Sequence, residues 1–350
     1  MKNLNRSFVS SYIMTKTIFG KKLLLIATIT VLVTGLTLAA TFNDAEATTT
    51  CTFTKDFVKK VMKLDADCTT DETIKIPDGW TLDGKKKTIT AEDPMVGTFV
   101  GGVIENAGTT AHVKNLKITT DSLANSCKAG PERLRGIFFD GASGTITKNE
   151  VMNINKGASG CQEGNAIEVR NAPFDGTHPD TQTVTISKNK LTNWQKTGIV
   201  ANGDVNVVIK KNKIGESATQ FNLAANSIQL GFGAIGVIEK NKIDGNQWCG
   251  GTSNFAASAI LLFSSTDGAK IDKNKIGGNS DIGIFLVADK VTVSKNKITD
   301  KNPDCANSTF DTGIGDFGVD NILVKNKIKG FDTPIGSEYA HNPYPQPQNP

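Results

Sequence analysis

Arginine is scarce in this chain of 350 residues, so the places where it occurs carry information. Apart from Arg6 the arginines are Arg133, Arg135 and Arg170, in a sequence that otherwise uses lysine for positive charge. Acids stand close by: Asp140, Glu163, Glu168 and Asp180, the last in a segment that starts at Asp175 and also carries His178. Arg differs from Lys in offering a planar fork that grips a carboxylate through two parallel hydrogen bonds. Acids beside Arg are what calcium-assisted β-elimination of a uronate needs. Carboxylates hold the cation, the cation and Arg neutralise the sugar acid, and a basic side chain takes the C5 proton. On this reading Arg170, Arg135 and Glu168 are the candidate catalytic groups. Arg133, Asp140, Glu163, His178 and Asp180 are candidate substrate contacts, and Ca2+ is the cofactor to test. The same residues equally make an ion-pair network that pins loops, since such networks gather acids and Arg too. His178, between Thr177 and Pro179, also reads simply as a solvated turn residue.

The elements that position these residues are announced by a repeated phrase. It runs Ile-Thr-Lys-Asn-Glu-Val at 146–151 and Ile-Ser-Lys-Asn-Lys-Leu at 186–191, then recurs with closely similar letters at 209–214, 238–243, 271–276, 293–298 and 323–328. Self-similarity at intervals of a few tens of residues marks a solenoid. A branched apolar residue stands three before each Asn and another two after it, with polar residues between. That is two short extended segments meeting at a bend, not a helical period. Asn suits a bend because it tolerates left-handed backbone angles. Stacking would put Asn149, Asn189, Asn212, Asn241, Asn274, Asn296 and Asn326 in one buried file, their amides hydrogen-bonded along the axis. A second phrase, a small residue followed by Ile, alternates with the first at Gly136-Ile137, Ala166-Ile167, Gly198-Ile199, Ser227-Ile228, Ala259-Ile260, Gly283-Ile284 and Gly313-Ile314. The span from Asn to that Ile is shortest at Asn189 to Ile199 and Asn274 to Ile284, and longer elsewhere, so insertions gather at one corner.

Three short strands per coil with Asn at a tight bend resemble the right-handed parallel β-helix of the pectate-lyase-like superfamily, over roughly 70–330. The resemblance implies an all-β solenoid, here expected with a short N-terminal helical cap. It also implies a polysaccharide groove on the outer face of the sheet that follows the insertions. With Ile137, Ile167 and Ile199 inward, alternation sends Phe138, Asp140, Glu168, Arg170, Val200, Asn202 and Gln229 outward. Asn202 and Gln229 thereby join the candidate substrate contacts, as does Lys196. Leu261, Phe263, Phe285 and Val287 take the outward places farther along, where folded-back loops should cover them, since a bare apolar patch invites association. The family's catalytic signatures are absent. There is no Gly-His-Gly or Arg-Ile-Lys of polygalacturonases and no Arg-x-Pro-x-x-Arg of pectate lyases. The Asp-Pro-His-Glu of alginate epimerases is missing too; Thr177-His178-Pro179-Asp180 shares its letters but not its order. No catalytic role transfers by motif.

The remainder divides as follows. Residues 1–47 read as a secretory signal peptide: Lys21 and Lys22, an apolar run from Leu23 to Ala40, and Ala45-Glu46-Ala47 as cleavage site, with a retained membrane anchor as the alternative. Residues 48–70 are expected to be the cap helix, with Phe57, Val61 and Leu64 on one face, 71–330 the β-helix, and 331–350 a Pro-rich disordered tail. The six cysteines of an exported chain suggest the pairs Cys51–Cys68, Cys127–Cys161 and Cys249–Cys305, structural staples rather than metal ligands. Lys precedes every Asn of the file and, except at Glu150, follows it. Coils stacked ~4.8 Å apart would align these into two like-charged columns, each neighbouring pair costing on the order of 1 kcal/mol in water. Either duplication copied a harmless solvated edge, or the edge binds a polyanion such as an acidic polysaccharide or an anionic cell surface. Nucleic acid is not expected, because aromatic residues do not interleave with the lysines. Contact with membrane is expected only through the N-terminal segment. The alternative to a polysaccharide-binding or polysaccharide-modifying protein is a non-catalytic surface, adhesion or envelope component whose rod and basic edge matter most.

Overall fold

The computed structural model describes residues 49–171, 180–218, 220, 223–248, 255–301, 310–337 and 344–349. Each coil carries three strands, illustrated by Arg135–Asp140, Ser143–Thr147 and Glu150–Met152. Like strands of successive coils pair to make three sheets: a broad sheet of 10 strands, a middle sheet of 11 and a narrow sheet of 10. Pairing within them is parallel except at the first hairpin.

The repeated phrases become stacks. The Ile after each small residue forms one, Ile137 on Ile167, Ile199, Ile228, Ile260, Ile284 and Ile314 in register. The apolar residue three before Asn forms a second, from Ile146 to Leu323. The one two after Asn forms a third, from Val151 to Ile328. All three belong to one continuous apolar core. The small residues have a steric cause. A Cβ on Gly136 or Gly283 would come within 2.7 Å of an interior side chain, and within 2.6 Å of a backbone carbonyl on the next coil.

The asparagine file is present. Asn149, Asn189, Asn212, Asn241, Asn274 and Asn296 are buried, and Asn326 is partly so. Each of these six donates Nδ2–H to the Oδ1 of the next Asn at 3.0–3.1 Å, and its own backbone N–H goes to the same atom. The reason for Asn differs from the expectation. The left-handed residue is the preceding lysine: Lys148, Lys188, Lys211, Lys240, Lys273, Lys295 and Lys325 have φ between 54° and 59°. Asn is there for its amide, which bonds both along the file and back to a carbonyl of the preceding coil, as Asn241 does to Ile209.

The first coils end in strands, not a helix. Phe53–Asp56 and Val61–Leu64 form an antiparallel hairpin, and the second of these pairs with Trp80–Asp83. Met62 and Leu64 point inward at alternate positions, a pattern the helical reading overlooked. Asp56 closes the turn by accepting the N–H of Lys59, and Lys60 takes φ 49°. The Cys51–Cys68 disulfide ties the ends of this segment together, and Cys127–Cys161 also forms. Cys249 and Cys305 lie outside the described residues, as do 1–48. For the described part of the tail the expected disorder is corrected: Thr333–Gly336 adds a strand to the broad sheet, and Tyr344–Pro345 pairs with Phe255–Ala256. Among the described residues no helix is long and apolar enough to cross a membrane.

Candidate functional site

The broad sheet positions the predicted residues by register. Phe138, Glu168, Val200 and Gln229 form one outward row, and Asp140, Arg170 and Asn202 another. Arg135 sits at the start of its strand beside the 3-10 turn Gly130–Glu132. Its guanidinium and Glu168 are both fully buried and paired two to two, Nε to Oε2 at 2.6 Å and Nη2 to Oε1 at 3.3 Å. The remaining N–H groups go to the carbonyls of Gly130, Pro131 and Arg133. Asn165 donates to Glu168 as well. Burial pushes the Glu168 carboxyl up, but the Arg135 charge and the hydrogen bonds from Arg135 and Asn165 outweigh it, and the net shift is downward. Two guanidinium groups approach the Phe138 ring, that of Arg135 at 4.1 Å and that of Arg170 at 5.1 Å from its centroid.

Arg170 in turn grips Asp140 with Nε to Oδ1 at 3.1 Å and Nη2 to Oδ2 at 2.5 Å. Glu163 is fully buried against Lys156 at 3.1 Å and accepts the backbone N–H of Lys128 and Leu134. Each of these three carboxylates is therefore matched to its own cation. Calcium takes six to eight oxygens from ligands free to turn toward it, so these residues do not fit that ion. Glu163 also approaches Cys127 and Cys161, whose sulfurs are spent in their disulfide. Asp180 is exposed, and its backbone carbonyl accepts from Asn171 and Gln182. His178 lies outside the described residues.

Farther along the same face the segment 344–349 lies against the sheet. Lys196, fully buried, donates to the Gln346 carbonyl at 2.6 Å and to the Ala224 carbonyl at 2.6 Å. Asn202 and Gln229 both donate to the Gln348 carbonyl, at 2.8 and 3.0 Å, and Gln229 Oε1 accepts the Gln348 N–H at 2.7 Å. Arg133 Nη1 donates to the Asn349 carbonyl. Burial, with the Arg133 charge second, drives the Lys196 amine well below its usual value. Beyond this stretch the outward row turns apolar. Leu261 and Phe285 are buried with Ala256, Ile282 and Phe310 in a satellite cluster, against which Phe263, Val287 and Phe317 pack. Reading the sequence missed Lys156, Asn165 and Asn226. The signal for the last two was a column just before the small-Ile phrase, where Asn165, Asn226 and Ser258 hold polar letters.

The opposite character belongs to the edge beside the asparagine file. Lys190, Lys213, Lys242, Lys275, Lys297 and Lys327 stand in register on the narrow sheet, all exposed. The left-handed lysines form the second column, also exposed. Acidic relief is partial: Glu150 pairs with Lys190, Glu239 with Lys240 and Asp272 with Lys273. Toward the N-terminal end a depression of ≈ 340 Å³ opens among Lys86, Lys117, Lys148, Lys188 and Lys190, with Glu150.

The sequence profile described as right handed beta helix region matches residues 135–333. No curated protein sequence matches the chain. Among solved structures, a double mutant of the periplasmic alginate epimerase AlgG superposes with a TM-score of 0.50 at 13% identity, covering 77% of this chain and 64% of that one. This chain thus spans less than two thirds of that epimerase's length. The Dettilon tailspike protein gives a TM-score of 0.36 at 12% identity, over 74% of this chain and 53% of that one. PfbA, a surface adhesin of Streptococcus pneumoniae, gives 0.37 at 12%, over 80% and 86%. At these identities the likeness concerns the fold.

Proposed function

We propose, from the premise that this chain belongs to the right-handed β-helix family, that it is an exported, non-catalytic protein whose lysine edge binds an acidic polysaccharide. The observation that carries the reading is the pair of exposed lysine columns in register, one of them held in left-handed backbone conformation. For an L-residue other than Gly or Asn that conformation costs roughly 1–2 kcal/mol. Gly or Asn would relieve it at every coil, yet each of these positions keeps a cation. Like charges spaced by the strand repeat of ~4.8 Å repel one another until a linear polyanion lies along them. Disulfides and the apolar segment 23–40 support an oxidising, exported setting. A carbohydrate acid is favoured over nucleic acid because no aromatic side chain interleaves with the columns.

The Arg-rich cluster is not assigned a lyase role, since every N–H of Arg135 and both oxygens of Glu168 are already engaged and covered. The test is retention on immobilised polygalacturonate or alginate at low salt, with elution as the Debye length shrinks below about 10 Å. The triple variant Lys213→Gln, Lys242→Gln, Lys275→Gln should elute well before the parent protein, and no unsaturated product should absorb with or without calcium. Equal retention of parent and variant would remove the lysine edge from consideration.

A further inference from the structure

The cleft on the broad sheet has an occupant that belongs to the chain itself, and its chemistry specifies what it reads. Lys196 and Asn226 both donate to the Gln346 carbonyl, at 2.6 and 3.1 Å. Asn202 and Gln229 close on the Gln348 carbonyl, and Arg133 takes that of Asn349. A single acceptor, Gln229 Oε1, takes the one N–H that faces it, from Gln348. The residues between, Pro345 and Pro347, have no N–H to satisfy, and their fixed φ holds an extended chain with little entropy left to lose. The Gln346 side chain is read too, its Oε1 accepting from the Ala224 N–H at 2.7 Å. Donors set against the carbonyls of Gln346, Gln348 and Asn349, one acceptor set against the Gln348 N–H and nothing demanded at the prolines describe a receptor for a Pro-Gln peptide in extended form.

We infer that this cleft is a peptide-binding site for Pro-Gln-Pro-Gln segments, filled in cis by residues 344–349, and that the bound segment is exchangeable. Exchange follows from two features. Of residues 345–349 none joins an apolar core cluster, and among the described residues the segment leaves buried Gln348 Oε1 and Arg133 Nε without partners. Emptying the cleft uncovers Lys196, whose amine has no carboxylate beside it among the described residues and whose burial already favours the neutral form. This inference goes beyond the polysaccharide reading and does not depend on it, because the lysine columns lie on a different sheet.

The experiment uses a fluorescent peptide with the sequence of residues 344–350. A variant ending at residue 343 should bind it saturably, and the full chain should bind it at least about tenfold more weakly, a difference of about 1.4 kcal/mol. Adding Asn202→Ala and Gln229→Ala to the shortened variant should abolish binding, whereas the lysine-edge triple variant should leave it unchanged. A second measurement covers the case in which shortening prevents folding. In the full-length Asn202→Ala, Gln229→Ala protein, which loses the side chains that hold the Gln348 carbonyl and N–H, mass mapping after brief treatment with an amine-reactive ester should find Lys196 modified, where the parent protein leaves it untouched. Equal peptide binding by the full and shortened chains, or Lys196 equally protected in parent and variant, would overturn the proposal. So would displacement of the peptide by oligouronate, which would give the cleft to a glycan instead.

Discussion

Two flanks of one coil treat charge in opposite ways. On the broad sheet and in the loops that lead into it, Arg135, Arg170 and Lys156 each face a carboxylate, Lys196 faces carbonyls, and turns or the segment 344–349 cover them. Beside the asparagine file the lysines are bare, in register and only partly offset. Buried charge must be matched where it stands, because low dielectric makes an unpaired ion expensive. Exposed charge is tolerated unmatched, because water and salt screen it. The lesson is that a cluster of Arg and acids is a poor pointer to catalysis once each member has its own partner. A repeated surplus of one sign on an open edge points outward, to something that carries the other.

The sharpest way to break this contrast is to unpair the buried flank. Arg135→Met leaves Glu168 without its counter-ion, and stability should fall by about 3–5 kcal/mol in urea titrations. The parent protein can be driven toward the same state with acid. Glu168 is held below its ordinary value, so its stabilisation is complete above the unfolded value of about 4.3 and is lost as pH falls through the lower folded value. Arg135→Met should remove that acid-labile portion; an unchanged acid limb would mean Glu168 does not depend on Arg135. Next in size is Asn241→Ala, which leaves the N–H of Asn212 and the Ile209 carbonyl unmet in a dry interior. A loss of about 3 kcal/mol is expected from such orphaned groups, and a loss under half of that would argue that the file is not the coil's principal tie.

On the open flank the effects shrink and one changes sign. Lys240→Gly removes the left-handed penalty and should raise stability by about 1 kcal/mol, while weakening retention on acidic polymer. If Lys240→Gly destabilised the β-helix, the idea that the lysine is kept for its charge would lose its basis. Smallest of all, Lys275→Gln should change stability by less than about 0.5 kcal/mol, so that any loss of binding it causes reads as lost contact, not as unfolding.

Much of the fold was legible because the repeat ties side-chain type to strand phase. Ile146, Asn149 and Val151 each announce where a coil turns, and a period of two leaves little freedom over which of them faces in. The small residues at 136, 198 and 283 were legible as a pattern, though their cause, a carbonyl of the next coil close to where a Cβ would stand, was not. The hairpin at 53–64 escaped because its apolar letters suit a helix as well as a strand, and the ladder to Trp80–Asp83 that decides the matter is a contact with another coil. At the candidate site the types were right and the roles were not. Arg135 and Glu168 were foreseen as neighbours, but nothing in their spacing says that three carbonyls of 130–133 close over the guanidinium. Nor does composition say that glutamines among prolines at 345–348 end beside Lys196 and Gln229.

Sequence alone determined the coil: its three strands, its file of asparagines and its two columns of lysine, because these are local patterns copied from turn to turn. Tertiary structure decided which charges are spent and which remain available. That depends on long-range neighbours, the turn over Arg135 and the segment over Lys196, whose approach no repeated phrase encodes.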